Sequence, residues 1–124
     1  MFSKMIRPEE PKMTAYAIAH LSNVDLGADI VEYLRRIDAT LAPFGGRFIV
    51  HGGRQMVAEG PADGVIVVIE FPDYEAAQGW YASPAYQKIL PLRRNNADNI
   101  DMLAERCADD HVATDVLPRE LLES

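Results

Sequence analysis

The stretch VIVVIEF, Val65 to Phe71, is the most apolar run of this 124-residue chain, and its β-branched residues are typical of a strand. Side chains of a strand alternate between the two faces of a sheet, so a strand with one solvated face alternates apolar and polar residues. Here every odd position is apolar, and so are two of the three even positions, with Glu70 as the exception. The stretch therefore predicts a sheet that is covered on both faces.

The segments before this strand predict a strand followed by a helix. TAYAIAHL, residues 14–21, alternates small and large residues, which indicates a strand with one face of alanines that permits close packing. The helix that follows is predicted to start at Asn23 or Asp25 as its cap and to end at Gly45 or Gly46. Its inner stripe recurs at helical spacing: Leu26, Ile30, Leu34, Ile37 and Leu41.

GGRFIVHGGR, residues 45–54, places two glycine pairs around a second predicted strand, residues 47–51. The pair Gly52-Gly53 predicts a bend or a close approach inside an extended segment that continues to residue 59. GPADG, residues 60–64, then predicts a hairpin turn into the apolar strand. In that hairpin Arg54 would lie opposite Glu70 as a cross-strand ion pair, with a structural role favoured over catalysis.

Two further helical segments and a fourth strand follow. Asp73 is predicted to cap the first segment, and Ser83, followed by a proline, to cap the second. Pro91 predicts a kink or break, and the last strand begins near Asn99. The order is βαββαβ, an α+β ferredoxin-like fold with a four-stranded antiparallel sheet over residues 14–106. Residues 1–13 are predicted to be a flexible leader, and residues 107–124 a C-terminal tail.

This fold predicts a homodimer. Two helices with right-handed crossovers cover only one face of the sheet, and the second face would expose several hundred Å² of apolar surface. The tail is polar at its start and only modestly apolar later, so it is a poor cover for a whole sheet. A second copy of the chain, with its sheet facing this one and the tail reaching over it, covers the face better.

Composition excludes several classes of partner. The net charge of −7 argues against nucleic acid and against an anionic membrane surface, both of which require clustered Lys and Arg. No apolar run approaches the ~20 residues that span a bilayer. Cys107 is the single cysteine, which excludes an internal disulfide and fits a reducing cytoplasm. We therefore predict a cytoplasmic protein.

The motifs GGRFIVHGG, IEFPD and WYASPAYQ, followed by Leu92-Arg93, occur in this order, and with them the chain resembles domain-of-unknown-function family 1330 over roughly residues 14–106. The resemblance implies membership in the dimeric α/β barrel superfamily, which includes cofactor-free monooxygenases, lactone isomerases, haem-binding relatives and members without assigned chemistry. The family pattern commonly has arginine where this chain has His51, so an anion-binding role of that position is not carried over.

Six residues are candidates for a small-molecule site. His51 ends the second strand beside the glycine bend and is a candidate general acid or base, although a backbone hydrogen bond would also explain it. Arg93 lies on an apolar helical stripe, where it either reaches the rim or points into a pocket as a carboxylate anchor. Tyr16, Trp80 and Tyr86 are candidate walls of the pocket. Ser83, at the start of a helical segment, could direct free backbone N–H groups at an anion, although its role as a helix cap would also explain it.

The other histidines and the cysteine are interpreted as structural or incidental. His20 is expected at a core or rim position, and His111 in a solvated loop. The three histidines lack metal-ligand spacing and do not single out a haem ligand, and Cys107 lacks a nucleophile signature, so no metal and no cofactor are predicted. Two hypotheses stand: a cofactor-free isomerase or monooxygenase-like enzyme, and a non-catalytic homodimer that binds a metabolite or a protein.

Overall fold

The computed structural model describes residues 12–61 and 63–123, so most of the predicted leader lies outside the described residues. Within them the chain forms four strands and four helices. The helices and strands in chain order are β1 (Ala15–Ser22), α1 (Ala28–Leu41), β2 (Arg47–Val50), β3 (Val65–Phe71), α2 (Tyr74–Ala82), α3 (Pro84–Arg94), β4 (Asp98–Glu105) and α4 (Arg119–Leu122). Short 3-10 turns follow α1 and precede α4.

The four strands form one antiparallel sheet in the order β2-β3-β1-β4. The central strand β1 pairs with both β3 and β4, so that Ile18 lies opposite Val68 on one side and Met102 on the other. Helices α1, α2 and α3 follow the first and third strands, as the pattern βαββαβ requires. The predicted α+β ferredoxin-like fold is confirmed.

The core lies between the helices and the face of the sheet that carries the alanines of β1. Ala15 is fully buried there, and Phe71 of β3 packs against Trp80 of α2 with ring centroids 5.4 Å apart. From α3, Tyr86 and Ile89 are each 1% exposed. The small alanine side chains let the large aromatic residues of the helices approach the sheet, as predicted from the alternation in TAYAIAHL.

Two details of the first helix were predicted wrongly. Leu26 and Leu34 are 79% and 45% exposed, whereas Tyr33 is buried in place of Leu34. Adjacent helical positions lie only about 100° apart, so a helix face that contains Tyr33 and one that contains Leu34 both fit the apolar spacing. Leu26 and Leu34 line a cavity and are not part of the packed core. The helix also starts at Gly27 without a side-chain cap, rather than at Asn23 or Asp25.

The predicted caps of the later helices are confirmed. The side chain of Asp73 accepts a hydrogen bond from the Ala76 N–H at 2.7 Å, and that of Ser83 accepts one from the Tyr86 N–H at 3.2 Å. Helix α3 continues through Pro91 to Arg94 without the predicted break. At the end of the first helical segment Gly45 has a left-handed backbone, with φ of +70°, as the glycine pair predicts.

The predicted long hairpin between β2 and β3 is wrong. Strand β2 ends at Val50, and the described residues between it and β3, 51–61 and 63–64, do not continue the strand. With this longer connection Glu70 lies opposite Arg47, whose Nη2 is 2.7 Å from the Glu70 carboxylate, and not opposite Arg54. In place of a backbone partner from β2, the side-chain oxygen Oε1 of Gln55 accepts a hydrogen bond from the Ile66 N–H at 2.9 Å.

The sheet face away from the helices, which we call the open face, is apolar and is not covered by the described part of the chain. Ile100 is 57% exposed and Met102 61% exposed, beside the half-buried Ile18 and Val68. The tail from residue 107 to 123 is exposed throughout. Both faces of the sheet are thus apolar, while the pairing of two chains stays a prediction. None of the described helices is long and apolar enough to cross a membrane.

We expect Gly64→Ala to destabilise the fold far more than Gly60→Ala. Both glycines have φ of +89°, so alanine introduces left-handed strain of about 1–2 kcal/mol at either position. A Cβ on Gly64 would also lie 2.1 Å from the Leu21 carbonyl oxygen, whereas a Cβ on Gly60 meets nothing within 4 Å. This clash should add ~1–3 kcal/mol. Urea unfolding measures the difference, and equal effects would contradict the strand connection described here.

Candidate functional site

An apolar cavity with a volume of about 560 Å³ lies between the helices and the alanine face of the sheet. Its floor includes Ala17 and Ala19 of β1, where methyl groups occupy little of the space below the helices. Buried aromatic residues form its walls, and exposed residues form what we call the cavity mouth: Leu26, Leu34 and His51. The volume is in the range of small-molecule sites.

A buried arginine lies at the inner end of this apolar cavity. Arg93, only 5% exposed, donates from Nε to the Tyr33 hydroxyl and from Nη2 to the Tyr86 hydroxyl, both at 3.2 Å. Its Nη1 donates to Asn99 Oδ1 and to Asp101 Oδ2, the latter at 3.3 Å. We call these five residues the Arg93 cluster. A buried guanidinium is stable only with such partners, so the cluster fixes α1, α3 and β4 relative to one another.

The protonation states of the cluster follow from its surroundings. Burial raises the pKa of Tyr33 well above its ordinary value, and the neighbouring Tyr86 raises it further, so the phenol stays neutral at physiological pH. Burial opposes the charge of Arg93, but the oxygens of Tyr86, Tyr33 and Asp101 outweigh it and raise its pKa. The arginine is therefore charged, the Tyr33 phenol keeps its proton, and the Asp101 carboxylate lies beside the guanidinium.

The aromatic walls are held in place by their own contacts. Trp80 packs on Tyr86 with centroids 4.0 Å apart, and its indole N–H donates to the Thr40 hydroxyl at 3.0 Å. Tyr86 in turn shares a 2.8 Å hydrogen bond with Tyr33. Because each polar end has a partner and each ring is packed, the cavity is a preformed space rather than a gap between mobile side chains.

His51 lies at the cavity mouth. Its ring stacks on Phe48 with centroids 4.3 Å apart and an interplanar angle of 17°. It follows the end of β2 and is exposed, and among the described residues its ring nitrogens have no hydrogen-bond partner. The backbone hydrogen bond considered from the sequence is therefore not formed. The imidazole instead lies at the cavity mouth, where it stacks on Phe48.

The structure brings four of the six sequence candidates to the cavity: His51, Trp80, Tyr86 and Arg93. Tyr16 is not a wall, because it lies opposite Glu70 and Ala104 on the other face of the sheet. Ser83 is not part of the cavity lining either. Its hydroxyl donates to the Trp80 carbonyl at 2.7 Å while it caps α3, and these two bonds account for its burial.

The remaining histidines and the cysteine lie away from the cavity. His20 makes a hydrogen bond from Nε2 to the Asp63 carbonyl at 2.5 Å, which fits its interpretation as a rim residue. His111 and Cys107 are exposed in the tail. Within the described residues no group of three or more His, Cys, Asp or Glu side chains is placed to hold a metal ion.

Sequence reasoning missed three members of the Arg93 cluster. Asn99 and Asp101 are two residues apart in β4, so they point to the same face of the sheet as the helices. The sequence signal that could have revealed them is a pair of polar residues on the helix-facing side of a strand, close to a helix whose apolar side carries Arg93. Tyr33 was hidden by the choice of the neighbouring Leu34 as the core position, and its contact with Arg93 spans 60 residues.

The fold and the cavity define a ferredoxin-like α+β protein with an apolar small-molecule-sized pocket. The chain belongs to the family described as Domain of unknown function (DUF1330), whose model matches residues 14–106. No curated protein sequence matches the chain.

Two solved proteins share this fold. The RPA0582 protein of unknown function from Rhodopseudomonas palustris has a TM-score of 0.57 and 15% identity, over 78% of this chain and 85% of that one. Its methylated form has a TM-score of 0.61 and 13% identity, over 81% and 85% of the two chains. A variant of SnoaB, a cofactor-independent oxygenase from Streptomyces nogalater, has a TM-score of 0.51 and 17% identity, over 81% and 97%. At these identities the likeness shows the fold alone.

Tyr33→Phe should remove part of the loss of stability at alkaline pH. The folded protein keeps the Tyr33 proton above pH 10.0, the ordinary pKa, while the unfolded chain releases it. The free energy of unfolding therefore falls as pH rises above that value, by up to about 1.4 kcal/mol per pH unit from this group. Urea unfolding between about pH 9 and 11 measures the slope. Tyr16→Phe, outside the cluster, should retain the full slope; an unchanged slope in Tyr33→Phe would contradict the buried neutral phenol.

Proposed function

We propose that the protein is a small-molecule enzyme that performs acid–base chemistry on an apolar substrate without a cofactor. The observation that supports this most is the combination, in one preformed apolar cavity, of a buried charged arginine with phenol donors at the inner end and an available imidazole at the mouth. Convergence of a few polar groups on an apolar pocket is the usual arrangement of a reactive small-molecule site.

In this proposal the two ends of the cavity have different roles. The Arg93 cluster donates hydrogen bonds to an oxygen of the substrate and stabilises negative charge that develops on it. His51 removes a proton from a carbon that is conjugated with that carbonyl and lies toward the mouth, and returns it at another position of the conjugated system, which is an isomerisation that needs no further reactant. A monooxygenase-like reaction would add dioxygen to the same carbanion, and the shared fold with the SnoaB variant is compatible with it.

The second candidate is a non-catalytic binding module. It is favoured by the charge balance of Arg93 with Asp101 and by the distribution of the described side chains, in which no nucleophile is hydrogen-bonded to a histidine. Both candidates require a ligand in the cavity, so binding alone does not separate them. Chemistry at the bound ligand does.

Proton exchange at a bound ketone tests the enzyme directly. We expect the protein to catalyse exchange of the methyl protons of the conjugated diketone 2-methyl-1,4-naphthoquinone in D₂O, followed by NMR, because His51 can remove a proton from a carbon conjugated with the carbonyl that Arg93 holds. His51→Ala should lower the exchange rate by about 10²-fold. His111→Ala, in the exposed tail, is the matched control and should exchange at the unsubstituted rate. Binding of the ketone without any catalysed exchange would favour the binding module.

We also propose that two copies of the chain pair through their open faces, with the tail of each reaching over the other. The exposed Ile100 and Met102 next to the half-buried Ile18 and Val68 form a continuous apolar surface of the kind that soluble proteins cover. The tail carries exposed apolar side chains of its own, among them Val112 and Val116. The predicted cytoplasmic location belongs to the same proposal.

Met102→Glu should separate the pair, because it places a charge within the proposed apolar interface. Met56→Glu is the matched control: Met56 is 84% exposed in the loop between β2 and β3. By light scattering at low micromolar concentration, the unsubstituted chain and Met56→Glu should have twice the 13.8 kDa chain mass, and Met102→Glu the mass of one chain. A single-chain mass for the unsubstituted protein would exclude the pairing.

A further inference from the structure

Arg93 and the two phenols of its cluster carry more hydrogen-bond donors than they use among the described residues. Arg93 carries five N–H groups and each of the two phenols one O–H, which makes seven donors. Four N–H groups have partners, and one phenol donates to the other, so five donors are used among the described residues. Two donors are left over, one on the Arg93 guanidinium and one on a phenol.

Both unused donors belong to buried residues that line the cavity. Tyr33, Tyr86 and Arg93 all line the cavity and are at most 6% exposed. The rest of the lining is almost entirely aliphatic or aromatic. A buried donor without an acceptor is costly, so the inner end of the cavity is complementary to an oxygen that accepts two hydrogen bonds.

The charge of the cluster decides which kind of oxygen fits. Arg93 contributes one positive charge and Asp101 one negative charge, with Nη1 and Oδ2 3.3 Å apart, and the buried Tyr33 phenol is neutral. A permanent carboxylate would enter an apolar space that offers no net charge and would lie near a second carboxylate. Burial of such an anion is expensive, whereas a carbonyl oxygen needs only the two donors.

Building on the proposed function, we propose that the cavity selects neutral apolar molecules with a ketone- or quinone-type carbonyl over the matching carboxylates, and that Asp101 determines this selectivity. The carbonyl oxygen accepts from the guanidinium of Arg93 and from a phenol of the Tyr33–Tyr86 pair. Asp101 acts through Arg93, since it removes the net positive charge that would otherwise attract an anion. The carboxylate anchor considered from the sequence for Arg93 is thereby replaced by a carbonyl site.

Three naphthalene probes of nearly equal shape test this selectivity by calorimetry: 2-acetylnaphthalene, 2-naphthoate and naphthalene itself. The unsubstituted protein should bind the ketone at least about tenfold more tightly than the carboxylate, and more tightly than naphthalene. Asp101→Asn keeps a side-chain oxygen for Arg93 but leaves its charge unbalanced, so the ratio of the two affinities should shift toward the carboxylate by about tenfold or more.

Asp98→Asn is the matched control. Asp98 lies in the same strand and accepts from the Asn23 side chain, outside the cluster, so its substitution should leave the ratio unchanged. Tighter binding of the carboxylate by the unsubstituted protein, or the same ratio in Asp101→Asn, would overturn the inference. Naphthalene binding as tightly as the ketone would also overturn it, while the apolar cavity of the proposed function would stand. Failure of all three probes to bind would contradict the proposed function itself.

Discussion

The need to satisfy the charge of Arg93 inside an apolar space is the constraint on which the site depends. A guanidinium buried to 5% exposure is tolerated only with well-placed partners, and these come from three separate elements, α1, α3 and β4. The polar atoms therefore hold the helices at a fixed distance from the end of the sheet. The same network that stabilises the fold at this point also keeps the inner end of the cavity open and presents donors to it.

The rest of the cavity follows from side-chain size along β1. Its alanines place only methyl groups below the helices, while the helices contribute Trp80 and Tyr86, whose rings pack on each other and, for Trp80, also on Phe71 of β3. This part could be predicted from the sequence, because strict alternation of alanine with larger residues marks one face as small, and aromatic residues at helical spacing mark what covers it. The fold was predictable for the same reason: periodicity and caps such as Asp73 are local signals.

Features that depend on contacts between distant segments could not be predicted in this way. Glu70 pairs with Arg47 rather than Arg54, because the loop before β3 is longer than a hairpin turn, and nothing local fixes the register of a strand whose neighbour is only four residues long. The choice between Tyr33 and Leu34 as the buried position was equally open, since both fit a helical period. It is decided by hydrogen bonds of the Tyr33 hydroxyl to α3, which no local pattern contains.

The two apolar faces of VIVVIEF now have separate explanations. Val67 lines the cavity, whereas Val68 lies on the open face opposite Ile18, so neighbouring residues of one strand serve the proposed ligand site and the proposed pairing. A partner on the open face does not touch a ligand, because the sheet itself lies between them. It acts on the site only through the backbone of β1 and β3, which carries both sets of side chains. A partner that covers the open face would therefore make the strands that form the cavity floor more rigid. This arrangement requires apolar residues on both sides of β3, as its sequence has.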